Sequence, residues 1–208
     1  MCKQKSENNN RAKRFFRLGE QYVETAKLLL NTLINNGNSN AGFGKTPEEA
    51  QQEMEKNASK SDLYLFVPAI FNCLQSTELL TKGLLLLARK TIQRSHGVEE
   101  LLKDIAMSYK EDSEVYQALN DFYEYQIGII ETYKQTNGIA NSYDLYMSLR
   151  YPQITLKPKE GEKKGKQITV DYTGLLCNGE RGVEQFKILL EKLERVKLAT
   201  VKVYHDRC

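Results

Sequence analysis

Between Leu63 and Ala88 the chain runs through its most apolar stretch, and that stretch constrains everything around it. Leu65, Phe66, Ala69, Ile70, Cys73, Leu74, Leu79, Leu80, Leu84 and Leu87 recur at helical spacing and cover more than half of a helix circumference. A helix that apolar has to be enclosed. A bilayer would enclose it, but Asn72, Gln75, Glu78 and Lys82 interrupt the run and are costly in hydrocarbon. The remaining solution is the centre of a helical bundle. Ser61-Asp62 offers an N-cap for a helix over residues 63–92, and Pro68 falls in its first turns, where a missing N–H costs least.

The flanking segments supply the surrounding layer. From Arg11, the residues Phe15, Leu18, Tyr22, Ala26, Leu29 and Leu33 share one helical face, and Asn35-Asn36-Gly37 ends it. Residues 36–47 read as loop, and Pro47-Glu48-Glu49 suits the first turn of a short polar helix. After the break at Ser95-His96-Gly97, a third helix carries Val98, Leu101, Leu102, Ile105 and Tyr109. Asp112 or Ser113 caps a fourth, with Val115, Leu119, Phe122, Gln126, Ile129 and Tyr133 in register up to Asn137-Gly138. Residues 139–152 are less regular and aromatic. The period then changes. Ile154-Thr155-Leu156 and Gln167-Ile168-Thr169-Val170 alternate around a polar segment, which predicts a two-stranded hairpin leaning on the helices. Val183, Phe186, Leu189, Leu190, Leu193 and Val196 mark a last helix over residues 180–199. The expected fold class is all-α: an up-and-down bundle of about five helices with a small β-hairpin inserted before the last helix. It occupies residues 11–200, between a disordered tail at 1–10 and a C-terminal tail at 201–208.

Charge and cysteines narrow the function classes. The net charge is only +3, which argues against a protein that coats DNA through bulk charge. The charge is unevenly placed, however. Lys3, Lys5, Arg11, Lys13, Arg14 and Arg17 are opposed locally by Glu7 alone, and Lys157, Lys159, Lys163, Lys164 and Lys166 crowd the hairpin tip. Cys2, Cys73, Cys177 and Cys208 form no C-x-x-C pair, so neither a disulfide framework nor a metal site is expected. With a polar start at Met1–Asn10 and no secretion signal there, the expected location is the cytoplasm.

Few residues can carry chemistry. Gly44-Lys45-Thr46 lacks both the earlier glycine and the preceding strand of a phosphate-binding loop, since position 39 is Ser39. Glu78 and Lys82, four apart on the apolar helix, either dock that helix or open a polar notch for a ligand. Arg150-Tyr151-Pro152 pairs a planar donor fork with a ring able to stack on a base; the same pair could instead close the bundle onto the hairpin. His96 and His205 are the two imidazoles of the chain, one before the third helix and one near the C-terminus.

The order of these elements resembles that of HEPN-domain proteins. The run Phe71-Asn72-Cys73-Leu74-Gln75-Ser76-Thr77-Glu78-Leu79-Leu80-Thr81-Lys82-Gly83-Leu84-Leu85-Leu86 is similar to their second helix, with its Glu-x-x-x-Lys followed by leucines. His96-Gly97-Val98-Glu99-Glu100-Leu101-Leu102 resembles the start of their third helix, with Val98 in place of Leu, and Leu149-Arg150-Tyr151-Pro152 resembles an Arg-Tyr-Pro segment before the last. The resemblance covers about residues 11–200. It implies a compact bundle, often a homodimer, that cleaves RNA without a metal or binds RNA, a nucleotide or a partner nucleotidyltransferase, in defence or toxin–antitoxin systems. The cleaving kind carries Arg, four to six residues, then His at the start of the last helix. Here Arg181 is followed at the corresponding positions by Phe186, Lys187 and Ile188, and Arg150 by Thr155, Leu156 and Lys157. Arg89 and His96 satisfy the spacing, but on the second helix. The expectation is a cytoplasmic binding protein without the usual ribonuclease site or any cofactor, with Glu78, Lys82, Arg150 and Tyr151 lining the ligand site. The alternatives are a metal-independent ribonuclease using Arg89 and His96, and a structural dimerisation scaffold.

Overall fold

In the computed structural model, residues 2–37, 46, 48–49, 62–90, 92, 97–158, 164–172 and 179–207 are described. In chain order they form α1 (Cys2–Asn35), α2 (Asp62–Leu87), α3 (Val98–Tyr109), α4 (Glu114–Ile129), α5 (Glu131–Asn137), α6 (Ser142–Ser148), β1 (Gln153–Thr155), β2 (Gln167–Thr169) and α7 (Gly179–Arg207). The architecture is the all-α bundle expected, with the hairpin before the final helix. None of its helices is long and apolar enough to cross a membrane.

Helix α2 is the centre: every residue from Ser76 to Leu87 is buried. Helix α1 runs antiparallel beside it, and two glycines let the backbones close up. A Cβ on Gly19 would sit 2.9 Å from Leu80 Cγ, and one on Gly83 would sit 3.0 Å from the Phe16 ring. Each glycine is thus the socket for a large side chain of the other helix. Gly19→Ala should therefore destabilise the fold by about 1–3 kcal/mol, although alanine is the better helix former. Equilibrium unfolding in urea tests this, and a stabilised variant would contradict the close crossing.

Helix α7 packs antiparallel to both α1 and α4. Its stripe of Phe186, Leu189, Leu193, Val196 and Ala199 is buried. Partly exposed ion pairs line the seams: Lys197 with Glu24 at 2.6 Å, Lys27 with Glu194, Arg195 with Asp121 at 3.0 Å, and Lys202 with Glu114 at 2.9 Å. Such pairs contribute little individually, but they are consistent with one register.

Helix α3 begins at Gly97, which has no side chain to cap it. The cap comes from α6 instead. Ser142 Oγ accepts the Val98 N–H at 3.2 Å and donates to Glu99, whose other carboxylate oxygen accepts from Tyr123 at 2.5 Å. Burial first, and then Glu99, hold the Tyr123 hydroxyl protonated well above its ordinary range. One cluster thereby joins α3, α4 and α6.

Four boundaries differ from expectation. Helix α1 starts at Cys2, not Arg11, so the segment expected as a disordered tail continues the helix. It holds no glycine or proline, and extending a packed helix costs far less than nucleating one. Helix α7 runs on through residues 201–207, where a tail was expected, because Tyr204 packs on Phe16 with ring centroids 4.9 Å apart. Helix α2 stops at Leu87 rather than 92. Arg89 turns left-handed (φ 61°), with Arg89 N–H bonded to Leu86 O and Lys90 N–H to Leu85 O, a Schellman-type end. The fourth expected helix is two, α4 and α5, broken at Ile130. The aromatic segment after it contains α6. Seven helices result among the described residues, where about five were expected.

Strands β1 and β2 pair antiparallel with Ile154 opposite Ile168. Two buried polar side chains fasten them to the helices. Asn137 donates to Asp171 O and accepts from Asp171 N–H, both at 2.8 Å. Asp144 takes the Lys157 N–H at 3.2 Å and the Asn141 Nδ2 at 2.8 Å. Asn137 thus holds the strand leaving the hairpin, and Asp144 the strand entering its tip.

Candidate functional site

Helix α6 determines where Arg150 and Tyr151 point. Asn141 caps it by accepting the Asp144 N–H at 2.9 Å, and its last turn ends with the Arg150 and Tyr151 N–H groups bonded to Met147 O. Pro152 then forces extended backbone into β1. The two side chains are left at the edge of a groove of about 470 Å³. Tyr22 of α1, Phe71 and Gln75 of α2, and Tyr146 of α6 complete its walls.

The Arg150 guanidinium is held by rings. Its carbon lies 5.3 Å from the Tyr146 centroid, 5.2 Å from Tyr151 and 5.9 Å from Phe71. Its Nη1 donates to the Tyr146 hydroxyl at 3.2 Å. Among the described residues no carboxylate pairs with it. A guanidinium is normally matched to an acid; here three aromatic faces support it and leave most of its donor fork open. Tyr151 is 42% exposed, a ring face open to stacking. Gln75 is part of the groove wall, while its Oε1 is closed off from solvent with no hydrogen-bond partner among the described residues.

Glu78 and Lys82 are placed differently from Arg150 and Tyr151. Residues 71, 75, 78 and 82 form one stripe of α2, so the pair lies about one and two turns past Gln75 on that stripe. Neither lines the groove itself. Lys82 Nζ donates to Glu78 Oε1 at 2.6 Å, with both side chains nearly closed off from solvent. The hydroxyl of Tyr146, a groove residue, feels the charge of Glu78. Burial raises the pKa of that hydroxyl, Arg150 lowers it, and Glu78 raises it again. Tyr146 is therefore a neutral hydroxyl that accepts from Arg150.

Other chemistry is weaker. Arg89 is exposed at the end of α2, and its backbone serves to end that helix. His96 lies outside the described residues. Cys73 is fully buried, and burial pushes its thiol far above the reactive range. Among the described residues no cluster could hold a metal ion. Gly44 and Lys45 lie outside the described residues, while the Thr46 hydroxyl accepts the Glu49 N–H at 3.2 Å, a helix-start contact rather than a phosphate cradle.

A larger cleft of about 640 Å³ separates the hairpin from α5 and α6. Its polar walls include Asn137, Asn141 and Asp144, whose hydrogen bonds already hold the hairpin. Volume favours that cleft over the groove, and Lys157 and Lys166 bring charge to it. The groove is favoured by its preorganised guanidinium, held by three rings with most of its fork open. Phe71, Gln75, Tyr146 and Tyr22 were not singled out from sequence as groove residues. The available signal was spacing: Phe71 and Gln75 precede Glu78 and Lys82 on one stripe, and Tyr146 stands four before Arg150.

A family model described as HEPN domain matches residues 47–168, more than half of the chain. The match includes every groove residue named above except Tyr22. No curated protein and no solved structure matches the chain.

Proposed function

The chain belongs to the HEPN-domain family, and from that premise we propose that it binds RNA or a nucleotide in the Arg150 groove and does not cleave it. The observation that carries the reading is an arginine without an acidic partner among the described residues, presented on the rings of Tyr146, Phe71 and Tyr151, the last of them 42% exposed. The guanidinium fork takes a phosphate, and Tyr151 stacks on the base. Tyr146 and Phe71 position Arg150. Glu78, paired with Lys82, bears on Tyr146 through its charge.

Cleavage by attack of the ribose hydroxyl needs a proton carrier near the phosphate. The first turns of α7 hold no histidine, and His205 stands at its other end. That distribution supports binding without scission. A homodimer fits the same reading: Leu28 of α1 and Leu198 of α7 are each 68% exposed, on neighbouring helices. The family reading extends to a defence or toxin–antitoxin setting, with a nucleotidyltransferase as the protein partner.

Calorimetric titration with 5′-UMP and 5′-AMP tests the groove. Arg150→Ala should weaken binding at least about tenfold, the loss expected for charge-assisted hydrogen bonds to phosphate. Arg150→Lys should recover little, because an ammonium cannot make the two-pronged contact. Unchanged affinity in Arg150→Ala would remove the groove from the function. Labelled RNA incubated in EDTA should stay intact; cleavage abolished by His96→Ala would establish the ribonuclease alternative instead.

A further inference from the structure

We infer that the groove is the end of a longer track along α1, and that its ligand is a single-stranded oligonucleotide rather than a free nucleotide. The inference rests on the groove reading above and extends it to α1, all of which precedes the family match.

Tyr22 closes the groove on the α1 side. At 3.6 residues per turn, Tyr22, Leu18, Arg14 and Arg11 fall within about 80° of the helix circumference, so they form one stripe. The stripe runs from the groove toward the N-terminus for eleven residues, about 16 Å of helix rise, too far for one nucleotide to bridge. Arg11 and Arg14 are exposed, and among the described residues neither has an acidic partner. Leu18 between them and the groove is 44% exposed, an apolar face for a ribose or base. Glu7 is the one acid on the preceding stretch. Arg17 and Lys13 lie farther round the helix, and Arg17 lines a separate surface shared with Lys197 of α7.

The chemistry is therefore ordered. At one end Arg150 and Tyr151 supply a fork and a ring for a terminal nucleotide. Beyond Tyr22, two exposed guanidiniums follow at one-turn spacing, suited to successive phosphates of a flexible strand. The continuation of α1 through Cys2 makes this possible, because it holds Arg11 and Arg14 on a rigid helix.

The test compares 5′-UMP with an octamer of uridylate, on wild type and on Arg11→Gln/Arg14→Gln. Both residues are exposed, and circular dichroism checks that the variant folds. The octamer should bind wild type at least about tenfold more tightly than 5′-UMP at low salt. The double variant should lose most of that advantage, and the slope of log affinity against log salt should fall by about 1.4, two single-strand phosphate contacts. Its affinity for 5′-UMP should not change. Arg11→Lys/Arg14→Lys should keep the slope. An octamer that binds no better than 5′-UMP, or a double variant with the wild-type slope, would overturn the track while Arg150-dependent 5′-UMP binding still upheld the groove. Loss of octamer binding in the double variant with no effect of Arg150→Ala would separate the two the other way and remove the groove.

Discussion

Lys82→Met is expected to lower the stability of the fold by about 3–5 kcal/mol, the largest effect of any single change considered. The substitution keeps the volume of the side chain and removes its charge. What remains is the Glu78 carboxylate, 3% exposed, without the ammonium that sat 2.6 Å away. It would stand near the Tyr146 hydroxyl, whose pKa it already raises. Urea unfolding measures the loss directly. The diagnostic variant is the double one: Glu78→Leu/Lys82→Met should recover most of the stability, because two apolar groups replace two charges that both had to be desolvated. Losses that simply add would show that the two residues do not act as a pair. The double variant should also weaken nucleotide binding slightly, through Tyr146, even where stability is restored.

Asp144→Ala should cost about 2–3 kcal/mol, and its effect should concentrate in the hairpin. Asp144 is 2% exposed, and its carboxylate accepts from Lys157 N–H and Asn141 Nδ2. Removing it leaves the β1 end of the hairpin without its polar fastening, while Asn137 still holds Asp171 at the β2 end. A two-stranded ribbon is marginal by itself. Hydrogen exchange at Leu156 and Val170, whose amides bond to Lys166 O and Pro152 O, should therefore accelerate more than exchange in α2. Uniform acceleration would mean that Asp144 supports the whole bundle rather than the hairpin. Asp144→Asn keeps one acceptor and should fall between the two.

The legible parts of this fold were those written in periodic apolar residues. The α2 stripe demanded enclosure, and α2 is enclosed; the alternation around Ile154 and Ile168 named a hairpin whose register places them opposite each other. Boundaries were harder, because they depend on partners. Nothing in Cys2–Asn10 is apolar enough to announce a helix, yet α1 continues there from a packed segment. The end of α7 is ordered by the contact of Tyr204 with Phe16, two residues far apart in the chain. The break at Ile130 was hidden because residues on both sides of it, Gln126 and Tyr133, are buried and stand seven apart, as one helical stripe would place them. For the groove, Arg150 and Tyr151 stood out by their chemistry, being a fork and a ring before a proline. Glu78 and Lys82 stood out as charges in an apolar run, but their burial makes them supports of the wall. Tyr22, Phe71, Gln75 and Tyr146 come from three helices, and only packing brings them together. Asn137 marked a helix end together with Gly138, but its bonds to the hairpin, like those of Asp144, are tertiary.

The most direct measurement is a nuclear magnetic resonance titration of the isotope-labelled protein with 5′-UMP. The account predicts shifts at the Arg150 side-chain Nε–H, the Gln75 side-chain amide and the Tyr151 backbone, with little change around the hairpin cleft. Shifts confined to Lys157, Lys166 and Thr169, with Arg150 and Gln75 unmoved, would place recognition in the hairpin cleft and contradict it.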